Sequence, residues 1–146
     1  MASAGAQRFP IRFTGLNHLM GVAGMAPSRC YVEVDDAEVR VRMGVWFELD
    51  APRDLVRDAQ LDTGRVLGWG VHGWRDQWLV NGSSSGIVRI ELSLSVRAWM
   101  GPVPFRVRVV RVSVEDPDGL VAVLAPTTTP AAPESAPRAA GAAGSV

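Results

Sequence analysis

Residues 64–94 read GRVLGWGVHGWRDQWLVNGSSSGIVRIELSL, and the fold turns on how that run is parsed. Its second half alternates. Val88, Ile90, Leu92 and Leu94 fall on one side and Arg89, Glu91 and Ser93 on the other, the two-residue period of a strand with one face in a core and one in water. Residues 77–80 contain strand-forming Trp78 and Val80, and Asn81-Gly82 tolerates the positive φ that turns demand. The pair therefore reads as a hairpin closed by a Ser-rich loop over residues 81–86.

Three motif matches in this run fail on context. Gly68-Trp69-Gly70-Val71-His72-Gly73 fits G-x-G-x-x-G, but a dinucleotide fingerprint needs a helix at its end to aim amides at a pyrophosphate. Residues 74–86 meet Asn81-Gly82 within two turns and have no apolar stripe at helical spacing, so they cannot supply one. Gly82-Ser83-Ser84-Ser85-Gly86 fits G-x-S-x-G, yet a nucleophile elbow runs from strand into helix, with its histidine later in the chain. Here the serines run into a strand, and both histidines, His18 and His72, precede them. Asn81-Gly82-Ser83 is a glycosylation sequon, meaningful only in a secretory pathway.

Composition sets the outer bounds. A chain of 146 residues accommodates one domain with a genuine core and needs no disulfides to hold it. The single cysteine, Cys30, excludes an internal disulfide and suits a reducing compartment. Fifteen basic and fifteen acidic residues balance, so no general field draws the chain to nucleic acid or to an anionic membrane. All the basic residues are arginine, a bias consistent with a GC-rich bacterial genome. The expected location is cytoplasmic. Arg8 and Arg12 precede an apolar stretch in the manner of a signal peptide, but Pro10, Asn17 and His18 interrupt it. No run reaches the roughly 18 apolar residues of a membrane-spanning helix.

Along the chain, residues 1–7 read as a disordered N-terminus, 8–125 as one β domain, and 126–146, rich in Ala, Pro and Thr, as a disordered tail. Phe9, Ile11 and Phe13 mark a first strand with Pro10 at an edge or end. Residues 14–28 are open between helix, loop and apolar segment. Residues 31–34 and 38–43 form two strands around an Asp35-Asp36-Ala37 turn, with Val39, Val41 and Met43 inward. Val45, Phe47 and Leu49 extend inward past a bend at Gly44, and residues 52–61 read as a turn followed by a short strand. The last strand, 105–114, changes phase between Val109 and Val110, which a bulge would absorb. Asp116-Pro117-Asp118 then opens a two-turn helix whose Leu120, Val123 and Leu124 share a face. So short a helix persists only against a sheet.

The short strands, the tryptophan-rich middle and the helix opened by Val114-Glu115-Asp116-Pro117-Asp118-Gly119-Leu120 resemble the pleckstrin-homology (PH)-like domains of bacteria. Gly68-Trp69-Gly70-Val71-His72-Gly73-Trp74 and Trp78-Leu79-Val80-Asn81-Gly82-Ser83 are similar to a group of uncharacterised bacterial proteins with such a domain. The resemblance covers about residues 8–125 and implies a mostly β fold: a curled antiparallel sheet or barrel of six to seven strands capped by one short C-terminal helix. That architecture carries lipid, peptide and protein binding alike. The expected hairpin turns, Asp35-Asp36 and residues 81–86, are acidic and neutral, unlike the basic loop of inositide-binding relatives.

Catalytic groups are sparse. Cys30 opens a strand and reads as a buried filler rather than a nucleophile paired with His72. Asp35-Asp36 is explained by a turn without calcium, and Glu48, Asp50, Asp54, Asp58 and Asp62 by a solvated face. No cofactor, metal or catalytic residue is assigned. The binding candidates are Arg40, Arg42, Arg89, Arg106 and Arg108, each opposite the valines of its strand, together with Trp46, which alternation places opposite Phe47. Trp69, Trp74 and Trp78 read as core or barrel-end plugs. These features suggest a non-catalytic module for a protein or peptide, engaged along a sheet edge or beside the last helix. The alternative is a carrier of a small apolar ligand inside an aromatic-lined barrel. A membrane contact, if any, would be peripheral.

Overall fold

The computed structural model describes residues 5–14, 26–66 and 70–125. They form nine strands and one helix: β1 (Gln7–Pro10), β2 (Cys30–Val34), β3 (Glu38–Met43), β4 (Phe47–Pro52), β5 (Val56–Leu61), β6 (Gly70–Trp74), β7 (Gln77–Asn81), β8 (Ile87–Met100), β9 (Val103–Ser113) and α1 (Pro117–Leu124). The strands make one sheet in the order β1-β2-β3-β4-β8-β9-β7-β6, with β5 also on β8. A mostly β, curled sheet capped by a helix is thus the architecture, with more strands than the six to seven expected and one parallel pair, β7 with β9.

That parallel pair corrects the reading of residues 77–94. β7 and β8 do not form a hairpin, because β9 lies between them and pairs with both. The 81–86 segment crosses the end of β9, where Val114 N donates to Gly86 O at 2.9 Å and Gly82 N to Ser113 Oγ at 3.0 Å. Spanning two inter-strand spacings, about 10 Å, requires a loop longer than a tight turn, and these six positions supply it. The hairpin in this region is instead β6–β7, turned through Arg75-Asp76, with Arg75 at φ 60°. Residues 74–86 contain no helix, which removes the dinucleotide reading.

Two irregularities curl the sheet. Between the pairs Glu91–Val109 and Val96–Val107, residues 92–95 oppose Arg108 alone, throwing Leu94 outward. On the other side of β9, Arg108 N and Val109 N both donate to Asp76 O, at 2.7 and 3.1 Å. Two successive amides on one carbonyl are the signature of a bulge, placed beside the valine phase change. Beyond Pro10 the chain returns to the far side of the sheet: Ile11 pairs with Val114, and Arg12 N donates to Ser113 O at 3.0 Å.

The enclosed face carries the core, including Val32, Val41, Met43, Phe47, Leu49, Ile90, Leu92, Val107 and Val110, all at most 2% exposed. Leu120 and Leu124 of α1 join it. Asp116 accepts from Gly119 N at 3.0 Å as the helix cap, and the Arg53 guanidinium donates to Asp35 O and Val123 O, tying α1 to the β2–β3 turn.

Three further expectations change. Gly44, at φ 57°, reverses the chain, so β4 folds back on β3 rather than continuing it and Val45 is exposed at the turn. Gln7 already belongs to β1. Most of the 14–28 segment, Trp69 and the tail at 126–146 lie outside the described residues. No helix among the described residues is long and apolar enough to cross a membrane.

Candidate functional site

On the outer face, cross-strand register sorts the candidate arginines into two groups. Arg8, Glu33, Arg40 and Asp50 form one row across β1 to β4, and Tyr31, Arg42, Glu48 and Trp99 a second row across β2, β3, β4 and β8. Opposite charges directly across a sheet neutralise one another, and they do so here. Arg40 contacts Glu33 at 2.8 Å, Glu38 at 2.9 Å and Asp35 at 3.3 Å. Arg42 reaches Asp50 at 2.6 Å and Glu48 at 3.4 Å. Two guanidinium hydrogen bonds, from Arg8 and then Arg40, hold the Glu33 carboxyl below its ordinary range. Arg89 is similarly bound to Glu91 at 2.9 Å.

Arg106 and Arg108 are placed differently. Arg106 sits opposite Arg97 on the β8–β9 hairpin and donates to Ser95 O at 3.2 Å. Among the described residues, neither Arg97, Arg106 nor Arg108 makes an ion pair. Trp46 is exposed, but as a residue of the β3–β4 turn beside the equally outward Val45 and not through strand alternation. The six candidates therefore do not form one patch: Arg40, Arg42 and Arg89 are absorbed by carboxylates, while Trp46 and Arg106 lie toward the end of the sheet bearing the β3–β4 and β8–β9 turns.

The tryptophans of the middle run divide as well. Trp78 packs inward, its ring 4.1 Å from that of Phe105, with Nε1 donating to Arg75 O and Arg106 O. Trp74 does not plug the barrel; it is 78% exposed at the end of β6. Its neighbour across the hairpin, Gln77, is polar, so nothing apolar at that register draws it inward. Among the described residues β6 pairs only with β7, making it an edge of the sheet. From that edge strand toward β9, across β7, lies a groove of about 470 Å³ whose lining includes His72, Trp74, Arg75, Gln77, Leu79 and Arg111. His72, Leu79 and Arg111 are successive cross-strand partners, and the core residues Val80 and Val112, with half-buried Val71, occupy the opposite face. The groove is thus on the outer face of the curled sheet.

Groups that might have done chemistry are otherwise engaged. Cys30 is fully buried, and that burial raises its thiol pKa against a smaller opposing effect of the Gly44 amide. A nucleophilic thiolate needs the reverse. His72 stands on the exposed β6, away from the buried Cys30. Ser83 is buried, its Oγ 3.1 Å from Ser85 Oγ and accepting from Ser85 N. Asn81 is buried too, its amide donating to Ser83 O at 3.0 Å, so the sequon is inaccessible in the folded domain. Among the described residues no group of three His, Cys, Asp or Glu side chains is placed to hold a metal ion.

Compared with protein-family models, with curated proteins and with solved structures, the chain matches none.

Proposed function

We propose that this chain is a non-catalytic, PH-like binding module of bacterial type that accepts an extended protein or peptide segment along β6. The observation that carries this reading is Trp74, a large aromatic left exposed at an edge strand and beside a groove. An edge presents main-chain donors and acceptors that can receive another strand, and alternate side chains of that strand enter adjoining pockets. Trp74 and Leu79 offer apolar contact for one such side chain, while Arg75 and Asp76 at the turn offer charge of both signs. The carrier alternative draws less support, because the groove opens on the outer face while large side chains fill the enclosed one. The reading places the module in the cytoplasm, with no role in nucleic-acid binding.

Selection of peptides from a random displayed library tests it. The peptides obtained should lose affinity by about 30-fold on Trp74→Ala, as expected of an aromatic anchor. They should also weaken when alternate backbone amides are N-methylated. Peptides indifferent to both changes would remove β6 as the site.

A further inference from the structure

We infer that the end of the sheet formed by the β3–β4 and β8–β9 turns seats on an anionic membrane surface. The surface is separate from the β6 groove and does not depend on the reading of that groove.

Register brings the two turns together. Glu48 pairs with Trp99, which pairs with Pro104, so the Gly44–Trp46 turn and the Gly101-Pro102 turn are neighbours. Both lead with apolar side chains: Val45 is 60% exposed, Val103 59%, and Trp46 and Trp99 are exposed beside them. A Cβ placed on Gly101 would meet nothing within 4 Å, so this tip projects. Exposed apolar side chains gathered on adjoining projections are the kind of patch that marks an interaction surface.

Behind the tips stand cations without anions. Arg97 and Arg106 face one another across β8 and β9, two residues back from Trp99 and Pro104. Like charges directly opposite destabilise a sheet. The other arginine pair on these strands, Arg89 opposite Arg111, is relieved by Glu91 and Asp62 respectively. Arg97 and Arg106 have no such relief among the described residues. The carboxylates nearest in register, Glu48 and Asp50 on β4, are both engaged by Arg42. Arg75 adjoins Arg106, since both carbonyls accept from Trp78 Nε1; Asp76 is the acidic neighbour at that turn. On the other flank Arg29, also without an ion pair among the described residues, has its carbonyl bonded by Gly44 N at 3.0 Å.

The order of these groups decides the partner. Apolar tips come first and arginines follow two residues behind, about 7 Å along a strand. A bilayer presents the same order, acyl boundary and then phosphates, over a depth of about 5–10 Å. A protein partner would be met by apolar groups ringed by polar ones in one plane. Between Arg97 and Arg106 lies a depression of about 210 Å³ lined also by Pro104 and Phe105, in position to receive a lipid phosphate between two guanidinium groups.

Cosedimentation of the full chain with vesicles tests the inference, using phosphatidylcholine alone or with about 30 mol% phosphatidylglycerol. Binding should require the anionic lipid and weaken steeply as salt rises from about 0.1 to about 0.5 M. Arg97→Gln with Arg106→Gln should lower the partition coefficient by about 30-fold. Trp46→Ser with Val103→Ser should lower it comparably while leaving the near-ultraviolet circular dichroism of a folded chain. Arg40→Gln with Arg42→Gln, which removes the same charge from the paired rows, should change it by less than about 3-fold. Brominated acyl chains should quench tryptophan emission, and Trp46→Phe with Trp99→Phe should abolish that quenching. Failure to bind anionic vesicles would overturn the inference. So would equal losses from the two arginine pairs, or quenching that survives without Trp46 and Trp99.

Discussion

Gly73 lies directly across the β6–β7 hairpin from Trp78, and the indole fills the space that a side chain at Gly73 would occupy. A Cβ at Gly73 would fall 2.2 Å from Cδ2 of that ring. The last glycine of the apparent dinucleotide motif is therefore there to let an aromatic ring close over an edge strand, a known way of covering a strand glycine. Gly73→Ala should destabilise the domain by about 1–3 kcal/mol, as overpacking does, read as a lower urea midpoint. Trp78→Leu should make the alanine easier to accommodate, so a double-mutant cycle should show coupling of at least about 0.5 kcal/mol. A neutral Gly73→Ala would mean the ring is not held where it is described.

The helix cap offers a second measurement. Asp116 takes the Gly119 amide, and a Cβ at Gly119 would lie 2.1 Å from the carboxylate. Asp116→Ala should cost about 1 kcal/mol, and Asp116→Asn much less, because asparagine caps almost as well. Gly119→Ala should resemble Asp116→Ala by displacing the capping oxygen. Thermal melts of the three variants decide: a melting temperature unchanged by Asp116→Ala would show that α1 is held by Leu120 and Leu124 alone.

The cap, the β2–β3 meander and the core side of β8 as far as Leu92 were legible because each rests on local chemistry. Pro117 after Asp116, the Asp35 turn and the valine alternation need no partner to be recognised. The β7–β9 pairing was not legible, since β7 and β8 each offer β9 a suitable strand and residues 81–86 do not reveal whether they turn back or cross over. Leu94 and Trp74 were misread for related reasons: a bulge moves one off its alternation, and an edge position leaves the other without cover. Arg97 opposite Arg106 had a usable signal. A two-residue turn at Gly101-Pro102 fixes the pairs from Met100–Val103 back to Val96–Val107, and starting the last strand at residue 105 left that register unread.

Cys30 should behave as a core residue. It is buried beside Val32 and Met43, with its thiol pKa raised by that burial, so both access and ionisation oppose reaction. An aromatic disulfide reagent should modify it at the rate at which the native chain opens, at least about 100-fold slower than in urea. Rapid stoichiometric labelling of the folded protein would place the thiol at the surface and contradict the β2 register.

Acid should unfold the domain through the carboxylates that arginines hold ionised. Glu33 is held below its ordinary range by hydrogen bonds from Arg8 and then Arg40, and Glu91 by its hydrogen bond from Arg89. For Asp62, burial pushes the other way but is outweighed by Arg111, the Gly64 amide and the charge of Arg89. A folded-state value below the unfolded one means that the unfolded chain takes up protons first as pH falls. The stabilisation is complete above the ordinary carboxylate range of about 4, and drains away as pH drops through the depressed values. Urea midpoints should accordingly hold steady from neutral pH to about 5 and decline below it. Glu33→Gln should lower the midpoint at neutral pH, and the gap from the parent chain should narrow in acid, where both lack the charge. A gap of constant size would assign the loss to packing around Arg8 and Tyr31 rather than to ionisation.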